Sequence, residues 1–270
     1  MKRMNLEEYL CREEGFSPVE AGGIIMAGKV LVNDQVCQQK HYALRDGDRV
    51  RVKYERKKYA TRSGYKLEKA LSFFQIDAQD KICLDVGASE GGFTDCLLQH
   101  GAAKVYAVDV AYGILNWKLR SDSRVVPLER VNARYLDEEK VPELCDLLTM
   151  DVSFISSGKI LPQVCRRLKP DGRFVLLFKP QFELKKEFVK KNGNIADIRQ
   201  ISKGIASLVD ELREKGIFVD GLTFSPIRGN NGNVEFLLCG GLTGPGAELG
   251  EAAAQRVVDE AFDVLKEERE

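Results

Sequence analysis

Between residues 81 and 240 the chain repeats a simple alternation. Short apolar runs, KICLDVG, KVYAVDV, RVVPLER, CDLLTMD and GRFVLLFK, are separated by longer stretches whose apolar positions recur at helical spacing. Two more apolar runs, GLTFSP and NVEFLLCG, then follow at close spacing. Five strands spaced by helices, with two in succession at the end, predict a mostly parallel seven-stranded sheet with helices on both faces, a doubly wound α/β fold. Sheets of this kind bind ligands at the carboxyl ends of their strands. Asp85, Asp109, Asp151 and Lys179 all fall at predicted strand ends. Lys179 is the least expected of them, because it closes the apolar run FVLLFK, where a charged side chain loses water.

The first 53 residues carry a different pattern. NLEEYLCREEG reads as a helix capped by Asn5, with Leu6, Tyr9 and Leu10 on one face and Gly15 as its stop. SPVEAGGIIMAGKV reads as a second helix, with Ser17 and Glu20 as a capping box, Pro18 in the first turn and Gly28 at the end. VLVNDQVC predicts two short strands around an Asn33-Asp34 hairpin turn, and DGDRVRVKY a third. Residues 54–80 begin basic and become an amphipathic helix with Leu67, Ala70, Leu71 and Phe74 on its apolar side. Lys66 opens that helix, and its position alone favours the solvent side. After Gly240, GLTGPGAELG reads as a tether and EAAAQRVVDEAFDVLK as an acidic helix that docks through Val257, Val258, Ala261 and Leu265. The boundaries predicted are 1–54, a basic linker 55–64, a large domain 65–240 and a C-terminal tether and helix 241–270.

Composition narrows the chemistry. The chain has 270 residues, 44% hydrophobic and 30% charged, and no apolar run of eighteen residues, so no membrane-spanning helix is expected. Glu7 and Glu8 arrive too early for the apolar region of a signal peptide, and the cytoplasm is the expected compartment. Seven scattered cysteines without a CxxC pair suit reduced core residues. Two histidines leave almost nothing for a triad or a metal site, and no metal is expected. Formal net charge is zero, yet residues 51–70 hold eight Lys or Arg against two Glu. Such a run serves either as a solvated linker or as a polyanion contact.

LDVGASEGGFTD follows the first large-domain strand and opens a helix. Its glycine spacing, G-x-x-x-G-G, differs from the G-x-G-x-x-G dinucleotide fingerprint, and it lacks a Walker lysine. Gly87 permits the turn, while Gly91 and Gly92 are expected to let ligand and helix approach the backbone. Asp85 would repel phosphate and suit a cationic ligand. Asp109, at the end of the second strand, is where an acid takes ribose hydroxyls. A ligand with ribose, positive charge and no phosphate is S-adenosylmethionine.

DVGASEGGFTD, VNARYL, MDVSFIS, LLFKPQFE and SPIRGNNGNVEFLL, in this order, resemble the hemolysin-A-like (TlyA) ribosomal RNA 2'-O-methyltransferases, of the FtsJ-type branch of S-adenosylmethionine enzymes. The N-terminal helix pair with AGKVLVND and DGDRVRV resembles the small alpha-L RNA-binding domain. Together the resemblances span residues 3–240. They imply a Rossmann-like methyltransferase sheet with a small N-terminal α+β RNA-binding domain, S-adenosyl-L-methionine as cofactor and ribosomal RNA or ribosomal subunits as partner. They imply a catalytic Lys-Asp-Lys-Glu tetrad at Lys66, Asp151, Lys179 and Glu235. Cofactor contacts are implied at Asp85, Gly87, Ala88, Ser89, Gly91, Gly92, Asp109, Asn132, Ala133 and Asp151. RNA contacts are expected from Arg3, Arg12, Lys29 and Asn33, and from the basic linker at Arg56, Lys57, Lys58 and Arg62. Two departures stand out. Ser17-Pro18 replaces the family's Ser-Arg, removing a phosphate-binding arginine, and Ser63 replaces a glycine in RSGYK, where it is expected to restrict the turn.

The implied reaction explains the residue types. Methyl transfer to a ribose hydroxyl, by resemblance that of a cytidine, is an in-line displacement that depends on alignment. A lysine acts as base only when its pKa falls from about 10.4 toward neutrality. The apolar strand end and Lys66 push Lys179 that way, whereas Asp151 and Glu235 oppose it. Phe154 is equally suited to stacking on a base or to filling the core. Three rivals remain distinguishable. A non-catalytic ribosome-assembly factor has no need of the tetrad. A base methyltransferase calls for Asp/Asn-Pro-Pro-aromatic where this chain has Asp151-Val-Ser-Phe, and a cytolysin needs an export signal and membrane-inserting segments that the sequence lacks.

Overall fold

A computed structural model describes residues 4–54, 58–195, 197–229, 231–244 and 249–267. The chain divides into two compact units, Met1–Lys58 and Tyr59–Glu270. In the small unit, helices α1 (Leu6–Arg12) and α2 (Pro18–Met26) start with reciprocal capping boxes, Asn5 with Glu8 and Ser17 with Glu20, which satisfy amide donors that a helix start leaves open. Strands β1 (Val30–Val32), β2 (Gln35–Val36) and β3 (Val50–Val52) form an antiparallel sheet in the order β2-β1-β3. Asn33 and Asp34 both take positive φ, 52° and 66°, as a two-residue hairpin turn requires. Leu6, Leu10, Phe16, Ile24, Ile25 and Val30 close the small core.

The large unit holds a seven-stranded sheet in the order β6-β5-β4-β7-β8-β10-β9. Its strands are β4 (Ile82–Val86), β5 (Lys104–Asp109), β6 (Val125–Glu129), β7 (Cys145–Met150), β8 (Leu168–Phe178), β9 (Phe218–Phe224) and β10 (Phe236–Gly241). The first five run parallel, and β10 is inserted antiparallel between β8 and β9. The seven strands are those the apolar runs predict. Helices α3 (Gly64–Phe73), α4 (Gly92–Gln99), α5 (Trp117–Arg120), α6 (Leu161–Val164), α7 (Pro180–Glu183), α8 (Arg199–Glu214) and α9 (Glu251–Glu267) complete the unit.

Strand alternation sorts side chains into two cores. Leu84, Val108, Leu148, Phe174 and Leu176 meet α6, α8 and α9 on one face. Cys83, Val105, Leu147, Val175, Leu177 and Leu237 meet α3 and α4 on the other. The acidic helix α9 docks through Ala254, Val258, Ala261 and Leu265, so Ala254 takes the buried place expected for the partly exposed Val257. The expected linker 55–64 is also revised. Tyr59 is 2% exposed, and its ring lies where a Cβ on Gly64 would project, so the chain joins the large unit from residue 59 onward. Ser63 has an ordinary helical φ of −62°, a conformation open to any residue, so it does not restrict that turn.

Candidate active site

The strand order reverses between β4 and β7, and at this switch point the carboxyl ends of β4, β5 and β7 surround a cleft of about 550 Å³. That size is within the roughly 300–1,000 Å³ usual for small-molecule sites. Gly87, Ser89, Asp109, Asn132, Ala133 and Asp151 line it, as expected. Gly87 has φ 84°, and any Cβ there would run into the Asp151 carbonyl, so glycine lets β4 and β7 turn away from each other at close range. The Asp109 carboxylate accepts from the amides of Ser89 and Ala111, both at 2.8 Å, and keeps further lone pairs for a ligand. Asn132 accepts from the Arg134 amide and so fixes the short turn that carries Ala133.

Four expected cofactor residues lie elsewhere. Asp85 is fully buried, and its carboxylate accepts from the hydroxyls of Thr94 at 2.7 Å and Thr149 at 2.9 Å. It sits one residue inside the end of β4 on the helix face, where the first turn of α4 covers it. Burial pushes its carboxyl up to about 6 against the opposing effect of the two threonines. Gly91 and Gly92 make room for protein: Leu119 and Leu115 fill the space over Gly91, and Ser63 and Thr61 that over Gly92. Ala88 is buried in the α4-side core.

The four residues implied to be catalytic converge on that same sheet face. Asp151, Lys179 and Glu235 continue the alternation of Leu147 and Thr149, of Val175 and Leu177, and of Leu237. Phe178 pairs with Phe236, so Lys179 and Glu235 leave adjacent strands at one level. Lys66, on α3, approaches from above. The expectation that it faces solvent is overturned. Lys66 is 7% exposed and donates at 2.5 Å to Glu235, itself 3% exposed. The sheet delivers this carboxylate 169 residues downstream, a partner that local spacing does not reveal. Lys179 forms an ion pair with Asp151 and donates at 3.1 Å to the Ser153 hydroxyl.

Phe154, open between core and surface in the sequence, is 89% exposed at the cleft mouth. Its φ of 66° is unusual for a bulky residue, and its ring lies 5.0 Å from that of Phe182. Thr94, Thr149 and Phe182 were missed by sequence reasoning, and Ser153 was expected only as part of SFISS, a segment shaping the substrate side, without its contact to Lys179. Ser153 and Phe182 lie within the motifs MDVSFIS and LLFKPQFE, and their nearness to Asp151 and Lys179 was the available signal. In the small unit Arg12 and Lys29 are exposed, as an RNA-facing surface needs. Asn33 is different: its side chain donates to Asp48 at 2.8 Å and accepts from the Arg49 amide at 3.0 Å, tying the hairpin to β3. Lys58 and Arg62 are exposed, whereas Arg3, Arg56 and Lys57 lie outside the described residues.

Comparison with known proteins decides the family. The FtsJ-like methyltransferase family matches residues 59–242. The chain belongs to it. Hemolysin A of Brachyspira hyodysenteriae is 43% identical over 87% of this chain and 98% of its own length. The 16S/23S rRNA (cytidine-2'-O)-methyltransferase TlyA of Mycobacterium tuberculosis is 39% identical over 81% of this chain and 82% of its own. A solved structure from Streptococcus thermophilus that carries the name hemolysin superposes with a TM-score of 0.76 at 35% identity, covering 99% of this chain and 98% of that one. The Rossmann-like methyltransferase fold is thereby established, and the family's cofactor is S-adenosyl-L-methionine. The cleft fits it: Asp109 retains acceptor capacity for ribose hydroxyls, and Gly87, Ser89 and Ala133 offer close backbone.

Proposed function

We propose that this FtsJ-like methyltransferase transfers the methyl group of S-adenosyl-L-methionine to the 2'-hydroxyl of a cytidine in ribosomal RNA. The observation that carries the reading is the pairing of Lys179 with Asp151 at the mouth of the cofactor cleft, backed by the buried Lys66–Glu235 pair. When bound, the cofactor supplies an electrophilic methyl group on a sulfonium.

The protein's share is placement. Asp109 takes the cofactor ribose, and Ser89, Asn132 and Ala133 shape the pocket around it. Ser153 and Asp151 hold the Lys179 Nζ. In contact with that carboxylate, Lys179 steers the hydroxyl oxygen, whose proton passes to water as the methyl group is taken up, and the Lys66–Glu235 pair braces β10 beside it. Alignment of this kind contributes about 7–11 kcal/mol to such reactions. Asp85 is a positioning residue, joining β4 to Thr149 of β7 and to Thr94 of α4 beneath the glycine loop. Phe154 and Phe182 offer aromatic surface to a base drawn out of its stack. The small unit supplies RNA affinity through Arg12 and Lys29, and the protein works in the cytoplasm on ribosomal RNA or subunits.

The name hemolysin, carried by several similar proteins, has no support from the helices described: none is long and apolar enough to cross a membrane. Incubating the protein with labelled cofactor and purified ribosomal subunits tests the proposal. Label in RNA from the wild type and none from Lys179→Ala is expected. Equal labelling by the two would overturn the assignment of Lys179.

A further inference from the structure

We propose that residues 185–191 form a phosphate-binding finger that fixes the RNA strand next to Lys179. The proposal rests on the ribosomal RNA reading above and adds a contact surface on the catalytic unit itself. The sequence KKEFVKK places Lys185, Lys186, Lys190 and Lys191 within seven residues against the single acid Glu187, and all four lysines are exposed.

Single lysines without an ion-pair partner occur elsewhere among the described residues, Lys81, Lys159 and Lys203 for example, but here four uncompensated charges share seven residues. Lys104, Lys140, Lys169, Lys215 and Lys266 each lie within ion-pair distance of a carboxylate. None of the four finger lysines has an ion-pair partner among the described residues. A concentrated, uncompensated positive patch attracts polyanions and releases their counter-ions on contact.

The segment is also anchored, which a purely solvating loop does not require. Lys186–Phe188 form a 3₁₀ turn, Val189 bridges Ile195, and the amide of Lys190 donates to Asn194 at 2.8 Å. Asn233, 6% exposed and two residues before Glu235, donates at 2.8 Å to the carbonyl of Gly193. Upstream, α7 starts directly after Lys179, and its Glu183 accepts from the amide and hydroxyl of Ser157. The finger is therefore tied at one end to the segment that delivers Lys179 and at the other to the turn that delivers Glu235. Phosphate contacts give position rather than base identity. Lysines held at a set distance from Lys179 would register one backbone phosphate against the hydroxyl to be methylated.

The test is the salt dependence of binding by the full-length protein to in-vitro transcribed small-subunit ribosomal RNA, read by fluorescence anisotropy. Replacing all four lysines with glutamine should flatten the slope of log affinity against log salt by about 3, each phosphate contact contributing roughly 0.7–0.9. Cofactor affinity by calorimetry and Tm should stay at wild-type values, and Lys203→Gln on α8 should leave the slope nearly unchanged. A quadruple variant that folds and keeps the wild-type slope would overturn the finger while leaving the methyltransferase reading intact. Wild-type protein that neither binds nor methylates this RNA or ribosomal subunits would overturn the substrate reading, and the finger with it.

Discussion

Two lysine–carboxylate pairs stand side by side at one end of the sheet, and they are built differently. Lys66 and Glu235 are sealed in the protein, side chains 8% and 4% exposed, whereas Lys179 and Asp151, at 11% and 15%, are the more open pair, and Asp151 lines the cleft. The same contrast recurs between two acids on neighbouring strands, Asp85 buried under threonine hydroxyls and Asp109 open and held by backbone amides. A sealed charge constrains the fold and places its neighbours. An open charge is free to meet substrate or cofactor. If this division holds, open sites lose function when altered, and sealed sites lose stability first.

The largest effect is expected at the open pair. Lys179→Ala should lower methyl transfer by about 10²–10³-fold while calorimetry finds cofactor affinity intact. Loss of cofactor binding instead would move Lys179 from the reaction to the pocket. At the sealed pair, Lys66→Met strands a buried carboxylate, and chemical denaturation should register a loss of about 3–5 kcal/mol. The double variant Lys66→Met/Glu235→Leu should recover most of that stability without recovering activity. If Lys66→Met were as stable as the wild type, the pair would not be sealed in solution.

The sealed acid responds to pH. Asp85 keeps its proton up to about pH 6 in the fold, whereas the unfolded chain releases it near 3.8. Its contribution to stability is therefore full below about pH 4 and is lost as pH rises through 6, on the order of 3 kcal/mol over that window. Asp85→Asn removes this loss, so its stability relative to wild type should climb between pH 4 and 7; a constant offset across that range contradicts the burial argument. The smallest effect is at Asp109. Asp109→Asn should weaken cofactor binding about tenfold, read by calorimetry.

Much of this was legible in the residues, for reasons that can be named. Strand runs such as FVLLFK are unambiguous because both faces of the sheet are covered, and the caps at Asn5 and Ser17 are local chemistry. The motif order around Asp151, Lys179 and Glu235 carried the family resemblance. What failed was anything that depends on distant partners. Lys66 read as solvent-facing from its position alone, and only the family resemblance grouped it with Glu235, which reaches it through the fold. Asp85 and Asp109 read alike because a strand-end position does not reveal which residue the following helix covers. Gly91 and Gly92 suggested a ligand, yet the space above them is filled by Leu119 and Ser63, neighbours supplied by other segments. The lysines at 185–191 stood out only once their exposure and the anchoring of their segment beside the Glu235 turn could be seen together.

The most direct test of the central claim is to map the product. Ribosomal RNA incubated with the protein and S-adenosyl-L-methionine, digested to nucleosides and analysed by mass spectrometry, should yield 2'-O-methylcytidine with the wild type and none with Lys179→Ala. Methyl groups on a base, or the same 2'-O-methylcytidine from both proteins, would contradict the account.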